Sequence, residues 1–573
     1  MGFFSRAGQI LLGAAVVGAA VPSCYSAGAG TAPPPNTFYF PVGLAVSDDG
    51  SVLYAVNSDF DLQWNGGTLQ SYDLTALRAA ATQLIASPPE GCPGTPPPGG
   101  TLLGQRCAPP TASQPYIRDW ATIGAFATEL QISIAGAPST PPAAGAALAQ
   151  PTLKRLFIPV RGDATVTWAD IDPSHPSTID CGQGQHGRCD ANHQAGSNPN
   201  QLHNTRQVTM PGEPFGMAQT EDGAYLAVTS QTTTQTSLLT TGFGPAAPLA
   251  EPPPNDPTME FVLGGMPNGG IGIAAVPHDP DAPAPSMVGP ASATSTQCAD
   301  PIDQPPCLPS SRCEDPGHAD ACVRAAFLET SRSAAEIDLL RLYKDDGSSL
   351  NRPFLEREGV YPITSNAVGT DSRGIVIDPT PRTNCKLQCK PLAPGDQQNA
   401  CRAACGQLAA RVFFASRTPP ALGIGEIGGP PPNGLGVYDP DRLVLTGNVP
   451  LPPGPSNVYL APIIDAGGHF ALRVFIVCFD ANQIVIYDPD AEAVEQRINV
   501  GAGPFAMAFD PFQMTDVGQH NAPPATSPYR FAYVASFTQS YVQMIDLDNS
   551  QPTAETFENI VFTLGQPTLP KGQ

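Results

Sequence analysis

The sequence predicts an all-β fold: a seven-bladed β-propeller of four-stranded antiparallel blades, with disulfide-stapled loop insertions that include a short helical hairpin. Three observations predict it. One motif returns along the chain, strand-like runs recur in groups divided by turn residues, and the Pro- and Cys-rich stretches fall between those runs.

The motif first reads Pro41-Val-Gly-Leu-Ala-Val-Ser-Asp-Asp-Gly50, then Val52-Leu-Tyr-Ala-Val-Asn57, then Thr68-Leu-Gln-Ser-Tyr-Asp73. It returns from Pro214 to Gly223 with Ala224 to Ser230, and again from Gly503 to Asp510 with Arg530 to Ser536 and Tyr541 to Asp546. The first strand is rich in Gly, Ala and Met because strands lining a propeller axis must approach one another closely. The Asp-Gly turn supplies the positive φ that a tight reversal needs. The second strand is a continuous apolar run, as expected of a strand covered on both faces. A third strand closes the unit on Asp.

Second strands are expected at Val52–Asn57, Arg155–Val160, Tyr225–Ser230, Ala326–Thr330, Arg411–Ser416, Arg473–Phe479 and Arg530–Ser536, which makes seven units. Third strands are clearest at Thr165–Asp170, Leu435–Asp439 and Gln483–Asp488, and fourth strands at Arg442–Thr446, Val494–Asn499 and Asn559–Leu564. The fourth unit is interrupted by a Pro/Cys-rich insertion, residues 280–325, after its first strand Ile271–Val276. A sandwich also has short strands, but it would not repeat one motif seven times. Thr37–Phe40 is available as a strand to close the ring, although the seventh unit already has a fourth strand of its own.

On these residues the chain resembles the YVTN-type β-propeller repeat proteins, with Tyr54-Ala-Val-Asn57 and Tyr533-Val-Ala-Ser536 as the nearest local matches. The resemblance implies a seven-bladed ring over residues 36–566 and specifies function poorly.

Residues 1–23 read as an export signal, with Arg6 in the positive region and Ile10 to Val21 as an apolar run too short to span a bilayer. Val21-Pro22-Ser23-Cys24 resembles a bacterial lipobox, which implies a lipidated Cys24, a flexible tether over residues 24–35, and a lipid-anchored place in a Gram-negative envelope, on its periplasmic or cell-surface face. Residues 567–573 are left as a tail.

Of 14 cysteines, Cys478 sits in an apolar strand and is expected as a buried free thiol. With Cys24 lipidated, twelve remain: Cys92 and Cys107, Cys181 and Cys189, the quartet Cys298, Cys307, Cys313 and Cys322, and the quartet Cys385, Cys389, Cys401 and Cys405. An exported chain favours disulfides over zinc for such clusters. In the last quartet, cysteines at i and i+4 share a helix face. Two short helices over residues 381–410, joined by Pro391 to Asp396, can therefore zip through Cys385 to Cys405 and Cys389 to Cys401, although spacing alone leaves the connectivity within either quartet open. The pattern is similar to the α-hairpinin peptides.

The net charge of −23 argues against nucleic acid, and 14% charged residues against a coiled coil. Gly 56 and Pro 67 fit long loops on a folded scaffold. In this acidic chain Arg382, Lys386, Lys390, Arg402 and Arg411 face only Asp396, so the hairpin can dock an acidic partner or lipid head groups, or simply be a solvated decoration. Arg161-Gly162-Asp163 reads as a turn, and the acidic turns at Asp48 and Asp345 lack calcium-loop spacing. His186 and His193 flank a stapled loop with Asp180 and Asp190 but form no metal motif. No cofactor or metal is expected. The functional expectation is a monomeric, non-catalytic scaffold that binds an envelope protein or a glycan through its loops; the alternative is a lactonase-like hydrolase with its site at the channel mouth.

Overall fold

The computed structural model describes residues 30–87, 108–134, 137–138, 152–182, 184, 186–196, 208–221, 223–243, 256–277, 325–343, 353–363, 369–392, 395–429, 441–518, 529–550 and 556–567. Seven antiparallel sheets follow one another along the chain. Blade 1 is Pro41–Val46, Val52–Asn57, Thr68–Asp73 and Ile117–Thr122. Blade 2 is Gln131–Ile132, Thr152–Val160, Thr165–Ile171 and Gln194–Ala195, with Ala137–Pro138 added beside its second strand. Blade 3 is Pro214–Gln219, Tyr225–Ser230, Gln235–Thr240 and Thr258–Gly264. Blade 4 is Gly270–Ala275, Ala326–Ser331, Glu336–Tyr343 and Phe354–Pro362. Blade 5 is Ser372–Asp378, Ala410–Arg417, Pro420–Ile427 and Leu443–Pro450. Blade 6 is Pro455–Ile464, Phe470–Cys478, Gln483–Asp488 and Ala493–Asn499. Blade 7 is Pro504–Phe509, Phe531–Ser536, Tyr541–Asp546 and Ile560–Leu564.

Each part of the repeat has a physical counterpart. The Gly/Pro entry is a β-bulge: in six blades the pairing of first and second strands slips near the entry, as between Pro41 and Gly43, Gly270 and Gly272, and Pro504 and Ala506. Gly50 and Gly223 take φ of 69° and 70° at the first hairpin. The second strands of blades 1, 3, 4 and 7 are buried at every residue. The Asp that ends a third strand accepts an Arg from the start of the second: Arg155 to Asp170 at 2.8 Å, Arg473 to Asp488 at 3.0 Å, Arg530 to Asp546 at 2.9 Å.

The third strand of blade 5 corrects an expectation. It is Pro420–Ile427, not Leu435–Asp439, which lies outside the described residues. In it Gly423 pairs with Phe414, whose ring lies only 2.1 Å from where a Cβ would stand on Gly423. Glycine here makes room for a buried aromatic ring on the facing strand.

The ring closes without Thr37–Phe40, which forms no strand. Pro110–Thr111 instead pairs in parallel with the last strand of blade 7. Helix α1, Leu74–Ala86, is inserted between the third and fourth strands of blade 1 and starts where Asp73 accepts from the Ala76 amide at 2.8 Å. Its buried Leu74, Leu77 and Ala81 join a core shared by blade 1 residues such as Tyr72 and blade 7 residues such as Phe531, Met544 and Leu564. Arg78 reaches across the seam, pairing with the fully buried Asp510 of blade 7 at 2.5 Å and donating to the Gly50 carbonyl of blade 1 at 2.5 Å. Part of the stretch expected as a tether, 24–35, is tied to the ring: Thr31 accepts from the Asn65 amide at 3.0 Å and Pro35 from Gln70 Nε2 at 2.9 Å, while residues 24–29 lie outside the described residues.

Helices α2, Thr380–Cys389, and α3, Asp396–Gly406, form the hairpin between the first and second strands of blade 5. Of the insertion expected at 280–325, only residue 325 is described. Among the described residues no helix is long and apolar enough to cross a membrane.

Candidate functional site: the channel and its aromatic mouth

The seven first strands surround an axial channel with a cavity of about 110 Å³. Close approach is what demands glycine there. A Cβ on Gly216 would stand 2.1 Å from the Ile271 carbonyl oxygen of the next blade, and one on Gly272 2.2 Å from that of Arg373. Thr330 ties the same junction, accepting from the Gly272 amide at 3.2 Å and donating to the Arg373 carbonyl. Among the described residues, the channel wall carries Thr128, Glu129, Asn457 and Tyr459 among apolar residues and glycines. Burial pushes the Glu129 carboxyl up to about 7, although it accepts from the Met217 amide at 3.0 Å.

One mouth of the channel collects the entries to first strands and the turns after second strands. Phenylalanines from four blades meet there. Phe479, Phe505, Phe537, Phe40, Phe60 and Phe126 form a continuous arc with ring centroids 4.7–6.5 Å apart, and Phe60 stands 49% exposed. Blades 4 and 5 contribute arginines to the same rim. Arg373 pairs with Asp371 at 2.7 Å, Arg332 lies 3.7 Å from that carboxylate, and Arg417 pairs with Asp480, next to Phe479. Burial first, then Arg332 and Arg417, hold the Arg373 guanidinium below its ordinary pKa, so three cations share two carboxylates. A larger hollow of about 480 Å³ lies between blades 1 and 2 at the other face, but its polar groups serve one another: Lys154 pairs with Asp48 at 2.9 Å, and Asp49 accepts from Ser47 and Ser51.

The docking residues expected on the hairpin separate into two kinds. Arg382 is 5% exposed and donates to the carbonyls of Leu408, Pro277 and Ile427. Arg411 pairs with the buried Asp378 and with Asp490, each at 2.7 Å. Both hold the hairpin base to the ring and are not a docking surface, which corrects the expectation. Lys390 and Arg402 are exposed and Lys386 is half-buried. Bonded sulfurs join Cys385 to Cys405, Cys389 to Cys401 and Cys181 to Cys189, and Cys478 is a buried free thiol pushed up to about 12 by burial. Cys24, Cys92, Cys107, Cys298, Cys307, Cys313 and Cys322 lie outside the described residues.

Arg161–Asp163 occupies the hairpin of blade 2, with Arg161 paired to Glu213 at 2.9 Å. His186 stacks on Trp120, and His193 lies against Trp168 while meeting Asp190 at 2.8 Å, so each is packed separately. The turn at Asp345 is outside the described residues. Neither arc of the mouth was anticipated. The available signal was positional: an aromatic residue recurs just before or just after the repeat strands, at Phe40, Phe479 and Phe537.

No protein-family model matches the chain, and no curated protein matches it. Among solved structures it is similar to the periplasmic gluconolactonase of Pseudomonas aeruginosa, at 12% identity over 81% of this chain and 86% of that one, with a TM-score of 0.37. It is also similar to the hydrazine synthase of Kuenenia stuttgartiensis, at 11% identity over 89% and 96%, TM-score 0.39. A third is Sqt1 of Saccharomyces cerevisiae, at 6% identity over 94% and 89%, TM-score 0.41. Likeness at this level carries no argument about activity; the order of the seven sheets establishes the propeller.

Proposed function

We propose that this protein is an exported, lipid-anchored binding propeller of the bacterial envelope that holds a segment of a partner protein, bearing apolar and acidic side chains, across its aromatic mouth. The observation that carries the reading is the pair of arcs on one rim: a phenylalanine surface with Phe60 half in solvent, beside three arginines with two carboxylates between them. Exposed aromatic anchors beside arginine are the chemistry of an interface centre. The N-terminal 24 residues support the address, through their apolar run and Cys24.

The test is binding of a fluorescent peptide panel varied in apolar and acidic content. Peptides with both should bind best, added salt should weaken them, and Phe60→Ala should cost about tenfold in affinity. Equal binding by wild type and by Phe60→Ala and Arg417→Ala variants would remove the reading. A hydrolase reading is favoured by the place of Glu129 in the channel wall, on the Met217 amide, where burial raises its carboxyl to about 7. Ring opening of a sugar lactone, abolished by Glu129→Gln, would establish that alternative.

A further inference from the structure

The two disulfides of the hairpin lie against each other. Cys389 Sγ and Cys405 Sγ, which belong to different bridges, are 3.7 Å apart, and the sulfurs of Cys389, Cys401 and Cys405 all lie within 4.8 Å of one another. Cys385 stands outside that trio but is bonded to Cys405, which makes it the adjoining fourth sulfur. A zinc ion with four thiolates at about 2.3 Å has sulfurs about 3.8 Å apart along each tetrahedral edge. The contact between the bridges already has that length. Within the trio, opening the Cys389–Cys401 bond from about 2.0 Å to the tetrahedral edge needs less than about 2 Å of side-chain movement, and Cys385 must swing inward to complete the set.

The surroundings favour such a site. Cys389 and Cys405 are about 1% exposed, so the cluster is largely screened from water. Three of the cysteines are each followed by a cation, as Cys385-Lys386, Cys389-Lys390 and Cys401-Arg402, in a chain of net charge −23. Those cations would offset the double negative charge of a zinc tetrathiolate. The hairpin base is tied to the ring without sulfur, by Arg382 on three carbonyls and Arg411 on Asp378, so the two cysteine-bearing segments stay close to each other when the bridges open.

We infer that the α2–α3 hairpin is a redox-gated zinc site: two disulfides under oxidising conditions, and a four-thiolate site of Cys385, Cys389, Cys401 and Cys405 once a dithiol has reduced both. Each bridge takes two electrons and two protons from a dithiol, which leaves as a disulfide. The four thiols then release four protons as one Zn²⁺ binds. The inference is independent of the binding at the channel mouth.

The experiment uses the full chain, reduced without oxygen, freed of reductant and titrated with Co²⁺ and then Zn²⁺. One Co²⁺ per chain should develop the intense visible bands of tetrahedral cobalt thiolate, and one Zn²⁺ should displace it. Cys389→Ser should weaken binding by more than the roughly 10–100-fold that loss of an outer-shell partner costs, whereas Cys298→Ser with Cys307→Ser should leave it unchanged. Should the Cys389→Ser chain fail to fold, alkylation of the reduced wild type decides, since zinc must protect these four cysteines. Absence of the tetrahedral spectrum, its survival in Cys389→Ser, or equal alkylation with and without zinc would overturn the inference.

Discussion

Among the described residues the ring carries two helical insertions that solve the same problem by different means. Helix α1 buries Leu74, Leu77 and Ala81 in the seam between blades 7 and 1, and sets Arg78 on the buried Asp510. Helices α2 and α3 bury almost nothing apolar besides sulfur: the buried residues are Thr380, Arg382, Cys389, Cys405 and Gly406, and neither helix has a side-chain cap. An insertion that can shed apolar surface is held by the core it enters. One that cannot must limit its unfolded states instead, and two disulfides do so. The seam helix is therefore part of the global fold, and the hairpin is a locally fastened appendage.

Substitutions in each insertion test the difference. The largest effect is expected of Arg78→Ala, which leaves Asp510 buried without its cation; denaturant unfolding should show a loss of about 3–5 kcal/mol in global stability. Leu77→Ala, at a residue 1% exposed, should cost about 3 kcal/mol in the same measurement by leaving a cavity in the seam. Replacing Cys385 and Cys405 together by Ser should cost no more than about 3 kcal/mol, and amide exchange should rise within residues 380–406 while the seam stays protected. Exchange spreading into blades 1 and 7 would erase the distinction between the two insertions.

Two smaller effects concern neither helix. Burial raises the Glu329 carboxyl to about 8, with Asp338 adding to the shift and Thr236 and Arg357 opposing it. The folded state thus holds a proton that the unfolded chain has already lost above about 4.5, so Glu329 weakens stability as pH rises from about 4.5 to 8. Glu329→Gln should flatten that decline in unfolding measured across the window. Phe60→Ala, at the exposed ring of the arc, should change stability by no more than about 0.5 kcal/mol in thermal unfolding, in keeping with its placement in a binding surface rather than the core.

Much of the ring was legible because blade strands obey local rules. All seven second strands stand where apolar runs predicted them, and the hairpin helices match the i, i+4 cysteines. Pro420–Ile427 was missed because its glycines are explained by Phe414 on another strand. Helix α1 has a readable start in Asp73 before an Ala/Leu-rich run, but it lies inside blade 1 and belongs to no repeat unit. The mouth was less legible: its six phenylalanines are scattered from residue 40 to 537 and only ring closure brings them together.

By itself the sequence determined the repeat unit, its strands and their turns, because alternation of burial, bulge-forming entries and positive-φ turns act within a few residues. The tertiary structure alone decided how the ring is sealed, which arginines are structural and which rim residues meet. Arg382 and Lys390 look alike in a charge count, yet one satisfies buried carbonyls and the other faces solvent. Burial and partnership are properties of the closed ring, and no window of sequence contains both ends of the contacts that set them.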